Sequence, residues 1–127
     1  MTLVLDSGGV SRLARRRPEA AAAIAAFADE GLWPPVVPSV VLVESTTGRQ
    51  RNDADVNRFL KTCEIVEDLP QHLARRAGTL RAQARRGSAV DATVVAFAEP
   101  GGVVLTGDIK DLSALAEHAD GVRIYRV

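Results

Sequence analysis

The chain has 127 residues, 46% of them hydrophobic and 25% charged, the size and composition of one globular domain, which excludes disorder, collagen and low-complexity fibres. Sixteen basic residues balance 16 acidic ones, so bulk charge does not mark a polyanion binder, although 14 of the basic residues are arginine, whose planar fork suits phosphate. The best candidate for a membrane span, Val36 to Val43, is interrupted by Pro38 and Ser39 and is too short to span a bilayer, and Met1 to Asp6 lacks a basic leader, so the expectation is a cytoplasmic protein without a membrane segment.

In chain order, Leu3-Val4-Leu5 reads as a strand that stops at the turn Asp6-Ser7-Gly8-Gly9, and Val10 to Arg17 as a helix ended by Pro18. Glu19 to Glu30 is an alanine-rich helix with Gly31 placed to stop it. Trp33 to Val37 is a short strand or extended link, and Pro38 opens a helix running to Gly48. A polar, arginine-bearing turn from Gly48 to Asp55 overlaps a short helix over Asp53 to Lys61, and Cys63 to Val66 is a third strand. Leu73, Ala77, Leu80 and Ala84 line one face of a helix from Gln71 to Arg86, leaving Arg75, Arg76, Arg81, Arg85 and Arg86 as a solvated face. Gly87 interrupts, Ser88 to Glu99 is helical, Val103-Val104-Leu105 is a strand, Asp108 to Glu117 a helix and Val122 to Val127 the last strand. Short apolar strands alternating with helices predict a single α/β domain over residues 1–127 with a mainly parallel sheet of about five strands.

Four carboxylates stand out. Asp6 and Asp108 follow the ends of strands, where sites form in open parallel sheets. On a continuous helix Glu44 would share a face with Val40, Val41 and Thr47, and Asp91 one with Val94, Val95 and Ala98. Each has a plain structural alternative: Asp6 and Asp108 can cap the helices that follow them, and Ser88 with Asp91 fits a capping box. Converging on one crevice, the four would repel by on the order of 3 kcal/mol per pair at ~5 Å and an effective dielectric of about 20. A hard divalent cation offsets that repulsion. Because Cys63 is the lone cysteine, a cysteine-based zinc site is excluded within one chain, and an all-oxygen set suits Mg²⁺ or Mn²⁺, which can activate water and hold a phosphate oxygen. Setting the four acids aside leaves 12 acidic residues against 16 basic ones, a balance that accommodates a polyanionic substrate.

The motifs Val4-Leu5-Asp6-Ser7, Val40-Val41-Leu42-Val43-Glu44, Ala89-Val90-Asp91-Ala92 and Thr106-Gly107-Asp108-Ile109-Lys110-Asp111-Leu112, in this order and spacing, resemble the PIN-domain ribonucleases, and more narrowly the VapC toxins of toxin–antitoxin pairs, over essentially the whole chain. The resemblance implies a three-layer α/β/α domain in which Asp6, Glu44, Asp91 and Asp108 form an acidic quartet binding Mg²⁺ or Mn²⁺. It implies hydrolysis of RNA to a 5′-phosphate and a 3′-hydroxyl, homodimers, and silencing by a cognate antitoxin protein. Thr106 matches the family's hydroxyl residue, and Asp111 is an extra acid. Gly8 departs from the pattern, because relatives place a small hydroxyl or amide residue there; a hydrogen bond orienting Asp6 or a water would then be missing or come from Ser7 or Ser11. Arg12, Arg15 and Arg16, or Arg49 and Arg51, could flank the crevice and bind phosphate, or form a solvated surface. His72 and His118 have no motif and are expected at the surface, while Trp33 is expected to pack a turn or a dimer face. Two rivals stand beside this reading: a receiver-type phosphoacceptor domain, against which the single acid after the first strand counts, and a catalytically silent RNA- or protein-binding module, for which Gly8 argues.

Overall fold

The computed structural model describes residues 1–126. Strand β1 (Leu3–Leu5) is followed by α1 (Ser7–Ala14) and α2 (Pro18–Asp29), β2 (Val36–Pro38), a 3₁₀ turn (Ser39–Val41), α3 (Leu42–Ser45), α4 (Gln50–Leu60) and β3 (Glu64–Val66). Then come α5 (Gln71–Ala84), α6 (Ala89–Ala98), β4 (Val103–Thr106), α7 (Ile109–Ala116) and β5 (Arg123–Arg126). All five strands are parallel, in the order β3-β2-β1-β4-β5. The expected last strand thus begins one residue later than read, and Val127 lies outside the described residues.

The two central strands are covered on both faces. Leu3, Val4 and Leu5 of β1 and Val103, Val104 and Leu105 of β4 are all buried, which is why both read as unbroken apolar triplets. From β1 the chain moves outward through β2 to β3, then crosses back over α5 and α6 to β4 and on to β5. Right-handed crossovers put connections of opposite direction on opposite faces. Accordingly α1 packs with α2, α3 and α4 on one side, and α6 packs with α5 and α7 on the other while crossing β1, β2 and β4. The strand order reverses between β1 and β4. A receiver domain has the order 2-1-3-4-5, with its third strand beside the first; here β3 is an edge strand and β4 takes that place.

Several boundaries differ from those expected, each for a local reason. Helix α1 begins at Ser7, three residues early, because the Asp6 side chain accepts from the Gly9 backbone N–H and turns the supposed loop into a first helical turn. The helix expected from Pro38 to Gly48 is a 3₁₀ turn followed by one α-turn ending at Ser45. Helix α4 starts at Gln50 rather than Asp53, because the buried Asp53 carboxylate accepts from Thr47 N–H, Thr47 Oγ1 and Gly48 N–H at 2.8–3.0 Å and closes the loop ahead of it. Trp33 packs edge-on against Phe59, with ring centroids 6.2 Å apart, and His72 and His118 are exposed as expected. Burial pushes the half-buried Cys63 thiol up to about 11. No helix among the described residues is long and apolar enough to cross a membrane.

The expected arginine face of α5 is exposed at Arg75, Arg81, Arg85 and Arg86, and only Arg76 departs from it. Arg76 grips Glu99 with two hydrogen bonds of 2.8 Å and donates to the His118 carbonyl, while Glu99 also accepts from the Asp120 N–H. Together these tie α5 to the end of α6 and to the turn before β5. The Arg76 hydrogen bonds hold the Glu99 carboxyl below its ordinary value, against the opposing effect of burial. A depressed folded-state value stabilises the fold above the unfolded value and loses that contribution as pH falls through the folded one. Glu99→Gln is therefore expected to lower stability at neutral pH and to lose part of the decline of the denaturant midpoint on acidification, measured by urea unfolding across the acid range.

Candidate functional site

Register places the site. Leu5 lies opposite Leu105 in the β1–β4 ladder, so Asp6 and Thr106 leave the sheet side by side at the point where the strand order reverses. Asp6 is buried. Its Oδ1 accepts from Gly9 N–H at 2.8 Å and its Oδ2 accepts from the Thr106 hydroxyl. The same hydroxyl oxygen accepts from the Asp108 N–H at 2.8 Å. Thr106 therefore sits between the two acids predicted from opposite ends of the sequence, and it supplies the orienting hydrogen bond that Gly8 cannot and that was sought from Ser7 or Ser11.

The identity of Gly8 has a steric cause. A Cβ there would stand 2.5 Å from the Gly107 nitrogen and 2.8 Å from its Cα, so the start of α1 and the loop leaving β4 approach backbone to backbone. The small polar residue expected at this position does not fit that approach.

Asp91 and Asp108 meet at the mouth of this crevice, joined by Asp111. One side-chain oxygen from each of the three lies within 4.8 Å of the others. Asp91 Oδ2 accepts from Ser88 N–H at 3.1 Å while Ser88 Oγ accepts from Asp91 N–H at 3.0 Å, the reciprocal capping box. Asp108 caps α7 by accepting from Asp111 N–H at 3.2 Å. The capping and crevice readings of these acids thus both hold: each cap uses one oxygen and leaves the other available. Three oxygens at this spacing fit a hard cation with metal–oxygen distances near 2.1 Å, after small side-chain adjustment.

The expected quartet is rearranged. Asp111, expected as an accessory, stands in the three-acid set. Asp6 stays outside it, with both oxygens engaged, but close enough for its ionisation to feel the Asp91 charge. Glu44 is exposed rather than on a buried face, because the helix that would have aligned it with Val40 and Thr47 is broken into a 3₁₀ turn and four α-residues. It lines a cleft of about 330 Å³ with Ser7, Gly8, Ser11, Ser45 and Val56, so it faces the first turn of α1 from the opposite wall. Arg12 lines a different groove, with Phe27, Ile109, Tyr125 and Arg126. Arg49 and Arg51 are exposed at the start of α4, and neither forms an ion pair among the described residues. The cation that does reach the acids is one the sequence reading assigned to solvent: Arg86 Nε lies 2.6 Å from Asp111 Oδ1. A helical wheel cannot find it, since α5 ends at Ala84.

Burial raises the Asp6 carboxyl above its ordinary value, opposed by the hydrogen bond from Thr106 and those from the Gly9 and Gly107 N–H groups, and reinforced by the Asp91 charge. With its folded value raised, Asp6 makes the metal-free fold lose stability as pH rises through and above the normal aspartate range. Asp6→Asn keeps a capping side chain and removes that charge, so its thermal midpoint without metal is expected to equal or exceed the parent's at neutral pH, by scanning calorimetry in EDTA. Gly8→Ala is expected to do the reverse, lowering the midpoint through the collision with Gly107; a neutral effect would show that the two loops separate readily.

No family profile and no curated protein matches the chain at the sequence level. Its fold is similar to VapBC2 from Rickettsia felis, solved bound to a DNA fragment from its promoter, with a TM-score of 0.72 and 15% identity over 100% of this chain and 99% of that one. It is also similar to a toxin–antitoxin complex from Klebsiella pneumoniae, with a TM-score of 0.67 and 22% identity over 98% and 99% of the two chains. FitAcB from Neisseria gonorrhoeae gives 0.64 and 14% over 97% and 96%.

Proposed function

We propose that this chain is a metal-dependent endoribonuclease acting as the toxin of a toxin–antitoxin pair. The observation that carries the reading is the meeting of Asp91, Asp108 and Asp111 within one ion's reach, beside the buried Asp6 and at the sheet's reversal point. Carboxylates gathered there repel one another, and helix capping alone does not require them to be neighbours. Similarity over 98% of the chain to a structure described as a toxin–antitoxin complex supports the toxin role and a protein antitoxin as partner.

In this reading Asp91, Asp108 and Asp111 hold Mg²⁺ or Mn²⁺. Bound there, the ion would supply Lewis-acid polarisation of the phosphodiester and of the attacking water. Asp6, its carboxylate plane fixed by Thr106 and Gly9, sets the inner boundary of the site. Glu44 closes the opposite wall, where Ser7 also lies, and positions the ion or a water from that side. RNA is the substrate, cut to 5′-phosphate and 3′-hydroxyl ends, and the working unit is a homodimer in the cytoplasm. With aromatic residues at 4% of the chain, few stacking platforms exist for unpaired bases, so backbone contacts and RNA shape carry recognition.

Incubation of the purified protein with total cellular RNA in Mn²⁺, Mg²⁺ or EDTA, followed by sequencing of new 5′ ends, tests this directly. Metal-dependent 5′-phosphorylated ends are expected from the parent and none from Asp6→Asn or Asp91→Asn. Absence of such ends from a protein shown by calorimetry to bind Mn²⁺ would remove the nuclease reading.

A further inference from the structure

Resting on the nuclease reading above, we propose that Arg86 binds the scissile phosphate, and that Asp111 serves in part to aim it. A phosphodiester carries negative charge into a crevice lined by carboxylates, so a cation must meet it there. Four ion pairs occur among the described residues: Arg16 and Arg58 with Asp55, Arg76 with Glu99, and Arg86 with Asp111. Only the last reaches an acid of the site.

Its geometry leaves the guanidinium half used. Nε makes the bond to Asp111 Oδ1, and the two terminal nitrogens have no hydrogen-bond partner among the described residues. A planar fork with one edge anchored and the other open suits a phosphate oxygen pair. The side chain is about half exposed, so the open edge is accessible to a ligand. Asp111 also contributes an oxygen to the three-acid set, which puts the guanidinium one carboxylate away from the ion that would hold the same phosphate.

The backbone around Arg86 is defined by the end of one helix and the start of the next. Arg85 ends α5 as a left-handed C-cap at φ 54°, its N–H donating to the Arg81 carbonyl. Gly87 follows at φ 90°, where an added Cβ would stand 2.7 Å from Leu115 Cδ1. Arg81 Nε donates to the Gly87 carbonyl at 3.2 Å, and Ser88 then opens α6 with the capping box that includes Asp91. Arg86 is thereby fixed in the short connection between α5 and α6, against α7 and next to two of the acids. Exposed ion pairs stabilise little by themselves, so the placing of Arg86 beside Asp111 comes from these backbone constraints more than from the ion pair.

The test separates phosphate binding from folding and from cleavage. Binding of a fluorescein-labelled single-stranded RNA is measured in Mn²⁺ over a range of salt, with Asp6→Asn compared with the double variant Asp6→Asn/Arg86→Ala, so that RNA is not consumed. Loss of one phosphate contact should make the slope of log K against log salt shallower by about 0.7, a change that a merely structural role would not produce. In the otherwise unaltered protein, Arg86→Ala should cut the cleavage rate by about 100-fold, with Arg86→Lys falling between, since it restores the charge without the fork. Cleavage by the parent with an unchanged slope and rate in Arg86→Ala would overturn the proposal and leave the nuclease reading standing. A faster Arg86→Ala enzyme would also overturn it, marking Arg86 as a competitor for Asp111. If the parent cuts no RNA and Asp6→Asn binds none, the nuclease reading falls and this inference falls with it.

Discussion

One hydroxyl joins the two halves of the site. Thr106 ends β4 beside the end of β1, donates to Asp6, and accepts from the backbone of Asp108. A hydroxyl has one proton to give and lone pairs to receive with, so a single side chain satisfies a buried carboxylate and orients the turn into α7 at once. The bond spans 100 positions of sequence and depends on β1 and β4 being neighbours in exact register. A slip of one residue along that ladder would turn the side chains to opposite faces and separate Asp6 from Thr106. The close approach of Gly8 to Gly107 depends on the same alignment.

The acids of the crevice have structural duties of their own. Asp6 and Asp108 cap α1 and α7, and Asp91 completes the capping box of α6. Capping contributes locally because backbone N–H groups at a helix start lack partners, and this offsets part of the cost of placing carboxylates close together. The arrangement also fixes where their remaining oxygens can lie, since a cap bonded to the backbone has few rotamers left. Pre-orientation of this kind is what a site for a hard cation needs. Asp111 differs from the others: its side chain caps no helix and one of its oxygens accepts from Arg86, so the acid with the least structural duty is the one joined to a cation.

The sheet was legible because buried parallel strands are apolar along their whole length. Leu3-Val4-Leu5 and Val103-Val104-Leu105 carry that mark, and the intervening helices follow from Pro18, Ser88 and the periodic apolar residues of α5. α-Helical spacing puts Glu44 on a buried face, whereas the 3₁₀ turn after Pro38 rotates each residue further and the α-turn that follows stops after four residues, leaving Glu44 exposed. The early start of α1 was missed for a related reason. Two glycines suggest a turn, but a capping carboxylate can hold them in helical geometry when the first turn packs against another backbone, as Gly8 and Gly9 do.

What the sequence by itself determined is the set of local preferences: which segments are apolar enough to be central strands, where helices start, and which carboxylates stand at strand ends or in first helical turns. Those depend on neighbours a few positions apart, and the chain states them directly. Tertiary structure alone decided the strand order β3-β2-β1-β4-β5, the pairing of Asp6 with Thr106, the grouping of Asp111 with Asp91 and Asp108, and the meeting of the exposed Arg86 with Asp111. Each of these is a meeting between residues far apart in sequence. They follow from which strands pair and how far helices run before they are capped, and a list of local preferences does not contain that information.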